Sequence, residues 1–80
     1  MPSQVASKLV LPGGTFAANL TTAREARGWS VAELARRADL NESAIYRLQH
    51  GQRQPTLPAI LRLADALGMT GSDLIEGVVS

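Results

Sequence analysis

The chain has 80 residues, of which 45% are hydrophobic and only 4% aromatic, and its formal net charge is +1. This length allows one domain near the lower limit for a self-supporting core, and the aliphatic composition favours closely packed helices over a sheet. The absence of cysteine and the presence of a single histidine exclude disulfides, a thiol nucleophile and a dedicated transition-metal site.

The hydropathy of the chain and its N-terminal segment predict a soluble protein of the cytoplasm. No apolar run approaches the roughly 20 residues that a membrane-spanning helix needs, and "VASKLVL" is too short for a signal peptide.

Residues 21–54 hold six arginines and four acids, whereas residues 55–80 hold one arginine and three acids. The middle of the chain is therefore mildly basic, which is only weak evidence for nucleic-acid binding.

The first predicted elements are an N-terminal arm and one helix. Residues 1–14 end in "LPGG" and show no helical stripe, so we expect an arm that can be disordered. Thr15 can cap a first helix that runs to about residue 27, and Gly28 stops it. The apolar residues on one face of this helix are Phe16, Leu20 and Ala23.

The next helices begin at recognisable capping residues. Ser30 and Glu33 have the spacing of a capping box, in which each side chain covers a free backbone N–H of the first turn. Asn41 and Thr70 begin two further helices with related signals, and Thr56 begins one in which proline is tolerated in the first turn. The predicted helices after the first are 31–38, 42–50, 57–67 and 71–76.

The fourth predicted helix carries an apolar stripe that we interpret as core. Its members are Leu57, Ile60, Leu61, Ala64 and Leu67. We expect one folded domain over residues 15–77 and a tail at 78–80. The C-terminal "DLIEGVVS" is apolar enough to form a dimer surface or to contact a protein partner, although it can equally serve only to close the core.

The second and third predicted helices are separated only by "DLN". Two short helices joined by a turn of three or four residues form a helix-turn-helix unit. At about 100° per residue, burial of Ile45 and Leu48 leaves one contiguous outward arc on the third helix. That arc contains Glu42, Ser43, Tyr46, Arg47 and His50.

Several segments, in this order and spacing, resemble the Cro and lambda-repressor type of helix-turn-helix family: "REARGWS", "ELARRADLNES", "IYRLQHGQRQPT" and "LPAILRLADALGM" followed by "DLI". The resemblance covers residues 20–74. It implies an all-α, compact five-helix DNA-binding domain with the helix-turn-helix in helices 2 and 3. In this family of bacterial and phage regulators, mostly repressors and often dimers, helix 3 lies in the major groove.

Three positions depart from the family pattern. Val31 stands where the family usually has a glutamine that contacts a phosphate, and Asp39 stands where glycine is common in the turn. Asp tolerates the left-handed backbone that such a turn needs. A family ion pair between helices 1 and 3 corresponds here to Arg24 and Gln49, so we expect a neutral hydrogen bond instead.

Arg47 is the strongest candidate for reading DNA bases, because it can make a bidentate contact to guanine. Ser43 can reach a base edge or a phosphate, and Tyr46 can reach a phosphate or a thymine methyl group. Glu42 can accept a hydrogen bond from cytosine, but an acid in a first helical turn is also favoured by the helix dipole alone. The candidates for phosphate contact are Ser30, Val31 and His50, and, as the family resemblance implies, Gln52, Arg53 and Gln54 in the following loop.

We expect a sequence-specific regulator of transcription that binds double-stranded DNA as a homodimer, with no cofactor and no membrane partner. We expect no catalytic residues, because His50 lacks a partner nucleophile or acid and "LPGG" lacks the context of a phosphate-binding loop. The alternative is an antitoxin-like or co-regulator module on the same fold with weakened DNA contacts. Val31, Glu42 and the small net charge motivate this alternative.

Overall fold

The computed structural model describes residues 13–76, in which five α-helices and no strand are formed. The helices are α1 Gly13–Ala26, α2 Val31–Ala38, α3 Glu42–Gln49, α4 Leu57–Leu67 and α5 Gly71–Glu76. This confirms the predicted all-α fold with five helices. None of the five helices is long and apolar enough to cross a membrane.

The predicted boundaries differ slightly from the observed ones at two helices. α1 begins at Gly13, two residues before the predicted start, so Thr15 lies inside the helix and does not cap it. α3 ends one residue early, and His50 follows it as the C-cap. Apart from Gly13 and Gly14, the predicted arm at 1–14 lies outside the described residues, and so does the predicted tail at 78–80.

The capping residues predicted for the last four helices all act as caps. In each case a side-chain oxygen accepts a hydrogen bond from the backbone N–H three residues later, which satisfies a donor that the helix itself leaves free. The pairs are Ser30 with Glu33 at 3.0 Å, Asn41 with Ala44 at 2.8 Å, Thr56 with Ala59 at 3.3 Å and Thr70 with Asp73 at 3.0 Å.

The capping box predicted at the start of α2 forms only in one direction. Ser30 Oγ accepts from the backbone N–H of Glu33, but the Glu33 carboxylate is not paired with the backbone N–H of Ser30. It accepts instead from Arg36 at 2.6 Å and from Arg37 at 2.5 Å. The Arg37 guanidinium also lies 4.2 Å from the centre of the Trp29 ring. Two charged donors therefore outcompete the neutral backbone N–H for the same carboxylate.

The Glu33 cluster predicts a pH-dependent contribution to stability. Hydrogen bonds from Arg36 and Arg37 hold the pKa of the Glu33 carboxyl below its usual range. A carboxyl whose pKa is lower in the folded state stabilises the fold above its unfolded pKa and loses this effect as pH falls through the folded pKa. We expect Glu33→Gln to lower the free energy of unfolding at pH 7 but not at about pH 2. Urea denaturation at both pH values measures this difference.

Glu42→Gln is the matched control, because Glu42 is also an acid in the first turn of its helix. It forms no ion pair within residues 13–76. Its effect on stability therefore reports the helix dipole alone. Equal losses in the two variants at pH 7 would show that the arginines contribute nothing.

The core is formed by apolar residues from all five helices. Leu20, Leu34, Ile45, Leu63 and Leu74 are each fully buried, one from each helix. α1 packs against α3 and α5, α2 packs against α3 and α4, and α4 packs against α5. The α3 helix is thus supported on its inner side by both α1 and α2.

The predicted core stripe on α4 is wrong at two positions. Leu57 and Leu61 are 66% and 55% exposed, whereas Leu63, which the stripe omitted, is fully buried. The helix packs through Ile60, Leu63, Ala64 and Leu67. These residues have an equally regular helical spacing, but their face is rotated about the helix axis relative to the predicted stripe. The neighbouring helices select the buried face. α4 consequently presents two leucines to solvent.

The turn between α2 and α3 fixes the start of α3. Asp39 has the predicted left-handed backbone, with φ 57° and ψ 46°, and it caps α2 through its N–H. The N–H of Leu40 donates to the carbonyl of Ala35 at 3.0 Å. The Arg62 guanidinium from α4 donates to the Asp39 carbonyl at 3.2 Å. The turn is therefore held from both sides.

Two polar side chains, which the sequence analysis did not identify, hold α1 to the C-terminal helices. Asn19 donates to the carbonyls of Leu74 at 2.9 Å and Ile75 at 3.1 Å. Arg27 donates to the carbonyl of Leu67 at the end of α4. These hydrogen bonds satisfy carbonyls that the ends of α4 and α5 leave free.

Candidate nucleic-acid interface

The α3 helix divides into a buried face and an exposed face. Its inner side chains, Ala44, Ile45 and Leu48, are buried. The five residues of the outward arc are all exposed: Glu42, Ser43, Tyr46, Arg47 and His50. The division follows from helical periodicity, because one side of the helix must supply the apolar contacts to α1 and α2.

A groove joins the exposed face of α3 to the start of α2. We call it the α2–α3 groove. It is lined by six of the ten candidate residues: Val31, Glu42, Ser43, Tyr46, Arg47 and Gln52. The fold thus brings together all four candidates for base reading and two candidates for phosphate contact.

The other four candidates lie outside the α2–α3 groove. Ser30 is exposed at the α2 cap, and its hydroxyl accepts from Glu33. Arg53 lines a separate cavity between α3 and α4. His50 lines a second groove, between α1 and the end of α3. Gln54 is exposed in the loop before α4.

The charges in the α2–α3 groove are not neutralised by neighbouring ion pairs. Within residues 13–76, the ion pairs join Arg24 to Glu25 and join Glu33 to two arginines of α2. Neither Arg47 nor Glu42 takes part in them. The guanidinium of Arg47 therefore remains available to an external acceptor, as the absence of a helical acid partner predicted.

Val31 differs from the polar candidates around it. It is the first residue of α2, and its partly buried side chain packs against the core. An apolar side chain supplies no hydrogen-bond donor, so only its backbone N–H can serve an anion at this helix start. The position thus contributes to packing, unlike the glutamine that the family pattern suggests.

Tyr46 and His50 form a stacked pair on the exposed face. Their ring centroids are 3.9 Å apart and their planes differ by 24°. His50 Nδ1 also lies 2.8 Å from the carbonyl oxygen of Tyr46. The spacing of four residues places two side chains on one side of a helix, so the sequence contained a signal for this contact that was not used. The stack restrains the Tyr46 ring.

The predicted neutral contact between α1 and α3 is present. Arg24 Nε donates to Gln49 Oε1 at 2.7 Å, and Arg24 Nη1 donates to the carbonyl of Trp29 at 2.7 Å. The Arg24 side chain is only 15% exposed, and its nearest acid, Glu25, is 3.8 Å away. One arginine therefore connects α1, α3 and the entry to α2, which fixes the relative positions of the two groove walls.

Comparisons with known proteins identify the family of this fold. Residues 15–76 match the model of a family described as a helix-turn-helix domain. The structure resembles the restriction-modification controller protein C.AhdI from Aeromonas hydrophila, with 34% sequence identity and a TM-score of 0.75. That alignment covers 78% of this chain and 94% of the controller protein.

Two further structures have the same fold. The hypothetical transcription factor NHTF from Neisseria is 28% identical with a TM-score of 0.76, over 80% of this chain and 74% of its own. An HTH_3 family transcriptional regulator from Vibrio cholerae is 20% identical with a TM-score of 0.76, over 80% of this chain and 36% of its own. No curated protein matches significantly.

The family match spans most of the chain, and the controller protein is matched over nearly its whole length. These similar proteins are described as a controller protein, a hypothetical transcription factor and a transcriptional regulator. The chain therefore belongs to the helix-turn-helix family of DNA-binding transcription regulators, with the Cro and lambda-repressor type of fold.

Proposed function

We propose that this protein is a sequence-specific repressor that binds double-stranded DNA in the cytoplasm of a bacterium or phage-infected cell, with α3 in the major groove. The observation that carries the proposal is the α2–α3 groove, where Arg47 projects from the exposed face of α3 and forms no ion pair within residues 13–76. A helix-turn-helix unit docks through this face, with the first helix of the unit crossing the phosphate backbone.

The proposed base-reading residues have complementary chemistry. Arg47 makes a bidentate contact to guanine, and Glu42 accepts a hydrogen bond from the amino group of cytosine. Ser43 contacts a base edge near the start of α3. Tyr46, restrained by its stack with His50, contacts a thymine methyl group or a phosphate.

The proposed phosphate contacts surround this face. At the start of α2 they involve Ser30 and the backbone N–H of Val31, and after α3 they involve polar residues of the following loop. Such contacts fix the orientation of the protein on DNA without reading its sequence. The residues of this second group are His50, Gln52, Arg53 and Gln54.

The protein binds its operator as a homodimer in this proposal, and the exposed leucines of α4 form the surface that a second copy covers. Leu57 and Leu61 are four residues apart, so they lie on one side of α4. A palindromic operator presents two equivalent half-sites about 34 Å apart, which requires two copies of α3. The second copy is therefore the occupant that fits an apolar surface outside the α2–α3 groove.

We expect Leu61→Ser to shift the protein from dimer to monomer and to weaken operator binding. Sedimentation velocity over a concentration series measures the first effect. Tyr46→Ser is the control, because it also removes an exposed apolar side chain but one that lies in the α2–α3 groove. It should weaken DNA binding and leave the dimer intact. A Leu61→Ser protein with unchanged dimerisation would remove this surface from the proposal.

Selection of bound sequences from a random DNA pool tests the function itself. The recovered sequences should share two inverted half-sites. Affinity for the selected DNA should then fall steeply with salt, by about 0.9 log unit per phosphate contact for each log unit of salt. Failure to bind any DNA at low salt would reject the regulator and favour the protein-interaction module.

A further inference from the structure

His50 is positioned more specifically than an exposed histidine at a helix end requires. Its ring stacks on Tyr46 at 3.9 Å, and its Nδ1 lies 2.8 Å from the Tyr46 carbonyl oxygen. The backbone N–H of His50 donates to the same oxygen at 3.0 Å. Both the plane of the ring and the identity of its inward nitrogen are therefore fixed.

The contact with the carbonyl determines which nitrogen carries the proton in the neutral ring. A carbonyl oxygen can only accept, so the hydrogen bond requires the proton on Nδ1. The neutral ring then has a lone pair, and no proton, on Nε2. Protonation adds a donor and a positive charge at Nε2 without disturbing the Tyr46 contact. The stacked ring thus changes from acceptor to charged donor at its outer nitrogen.

Among residues 13–76, no acid forms an ion pair with His50. The groove beside it is lined by uncharged residues of α1, by Gln49 and by Gly51. The charged groups on the elements around α3 do not line this groove. They are Arg24 and Glu25 on α1, Glu33, Arg36 and Arg37 on α2, Glu42 and Arg47 on α3, and Arg53 in the loop; Tyr46 is the other titratable neighbour.

We infer that DNA binding by this chain is coupled to protonation of His50, with the charged ring donating from Nε2 to a backbone phosphate. The inference rests on the proposed function, because it concerns the regulation of the same interface. A phosphate oxygen accepts a hydrogen bond from the charged ring, but it repels the Nε2 lone pair of the neutral ring. The DNA complex therefore takes up a proton, and its affinity rises as pH falls.

The composition makes this coupling measurable. His50 is the only histidine of the chain, and there is no cysteine. Histidine is the side chain that ordinarily changes charge between about pH 5 and 8. A difference in DNA affinity across this range that disappears when His50 is replaced can thus be assigned to one ring.

The test compares the affinity and its salt dependence at pH 5.5 and pH 8 for DNA selected from a random pool. We expect about tenfold tighter binding at the lower pH, the effect of one charge-assisted hydrogen bond. We also expect the salt slope to steepen by about 0.9, the value for one added phosphate contact. A residue that only positioned Tyr46 would not change the salt slope.

Two variants separate the functions of the two ring nitrogens. His50→Asn keeps a donor near the Nδ1 position for the Tyr46 carbonyl but has no group at the Nε2 position. It should bind at both pH values with the affinity of the wild-type protein at pH 8. His50→Gln reaches the Nε2 position with a neutral donor, and it should bind with intermediate affinity and no pH dependence. Thermal unfolding at both pH values checks that all three proteins are folded.

The outcomes distinguish the proton coupling from the proposed function. If the protein binds no DNA at pH 5.5 and none at pH 8, the proposed function and the proton coupling are both overturned. DNA binding with the same affinity and salt slope at both pH values overturns only the proton coupling, and so does a pH dependence that survives in His50→Asn. Nitrogen NMR of the free protein at pH 8 adds a test that needs no DNA. It should show the proton on Nδ1, and a ring protonated at Nε2 would also overturn the inference.

Discussion

Replacing Arg47 with alanine should weaken binding to the selected DNA by about 1–3 kcal/mol, or roughly 5- to 150-fold. The reason is that Arg47 lines the α2–α3 groove, is exposed, and forms no ion pair within residues 13–76. Its guanidinium does not have to break a charged contact before it reaches a base. Loss of a bidentate contact should also relax the preference for one base pair in each half-site.

The control for this experiment is Arg36→Ala, which makes the same change in net charge. Arg36 is highly exposed on α2, and its partner Glu33 still has an ion pair with Arg37 after Arg36 is replaced. Fluorescence anisotropy with the selected DNA and with single-base variants measures both affinity and base preference. Equal losses in the two variants, with base preference unchanged, would assign Arg47 a general electrostatic effect and remove it from the base-reading residues.

The largest effect on stability is expected for Leu63→Ala, which should lower the free energy of unfolding by about 2–5 kcal/mol. Leu63 is fully buried, so the substitution removes apolar contacts and leaves a cavity among neighbours that can only partly close it. Because the free energy of unfolding is roughly 0.05–0.15 kcal/mol per residue, the total for a domain of this size is small. A substantial fraction of the variant should be unfolded at ordinary temperatures.

Leu61→Ala is the matched control, because it makes the same change on the same helix at a residue that is 55% exposed. It should alter the free energy of unfolding by less than about 0.5 kcal/mol. Both variants should be measured by urea denaturation at concentrations low enough to keep the protein monomeric, because dimerisation adds to apparent stability. A larger loss for Leu61 than for Leu63 would contradict the observed orientation of α4.

The contrast between these two leucines shows which feature of the fold helical periodicity did not predict. Caps at Ser30, Asn41 and Thr56 are local signals, and they predicted the starts of α2, α3 and α4 correctly. The buried face of α4 is not a local property. Two overlapping stripes have the same helical spacing, and the positions of α2 and α5 decide which one packs inward.

The candidate site shows a similar limit. The exposed arc of α3 could be predicted because Ile45 and Leu48 require burial, whatever the rest of the fold does. The hydrogen-bond partners of the long polar side chains could not be predicted from the sequence. Glu33 had both a backbone N–H and two arginines within reach, and only the folded geometry shows that the arginines prevail. The spacing of Tyr46 and His50 indicated that their side chains can meet, but only the folded geometry shows that His50 Nδ1 contacts the Tyr46 carbonyl oxygen.

The contact between Arg24 and Gln49 has a consequence for the acid tolerance of the interface. An arginine–carboxylate pair at this position would weaken once the carboxylate became protonated. The contact between α1 and α3 would then be less stable. An amide oxygen does not titrate, so the 2.7 Å hydrogen bond from Arg24 keeps its strength in mild acid. The contact that positions α3 against α1 therefore does not depend on the protonation of a carboxylate.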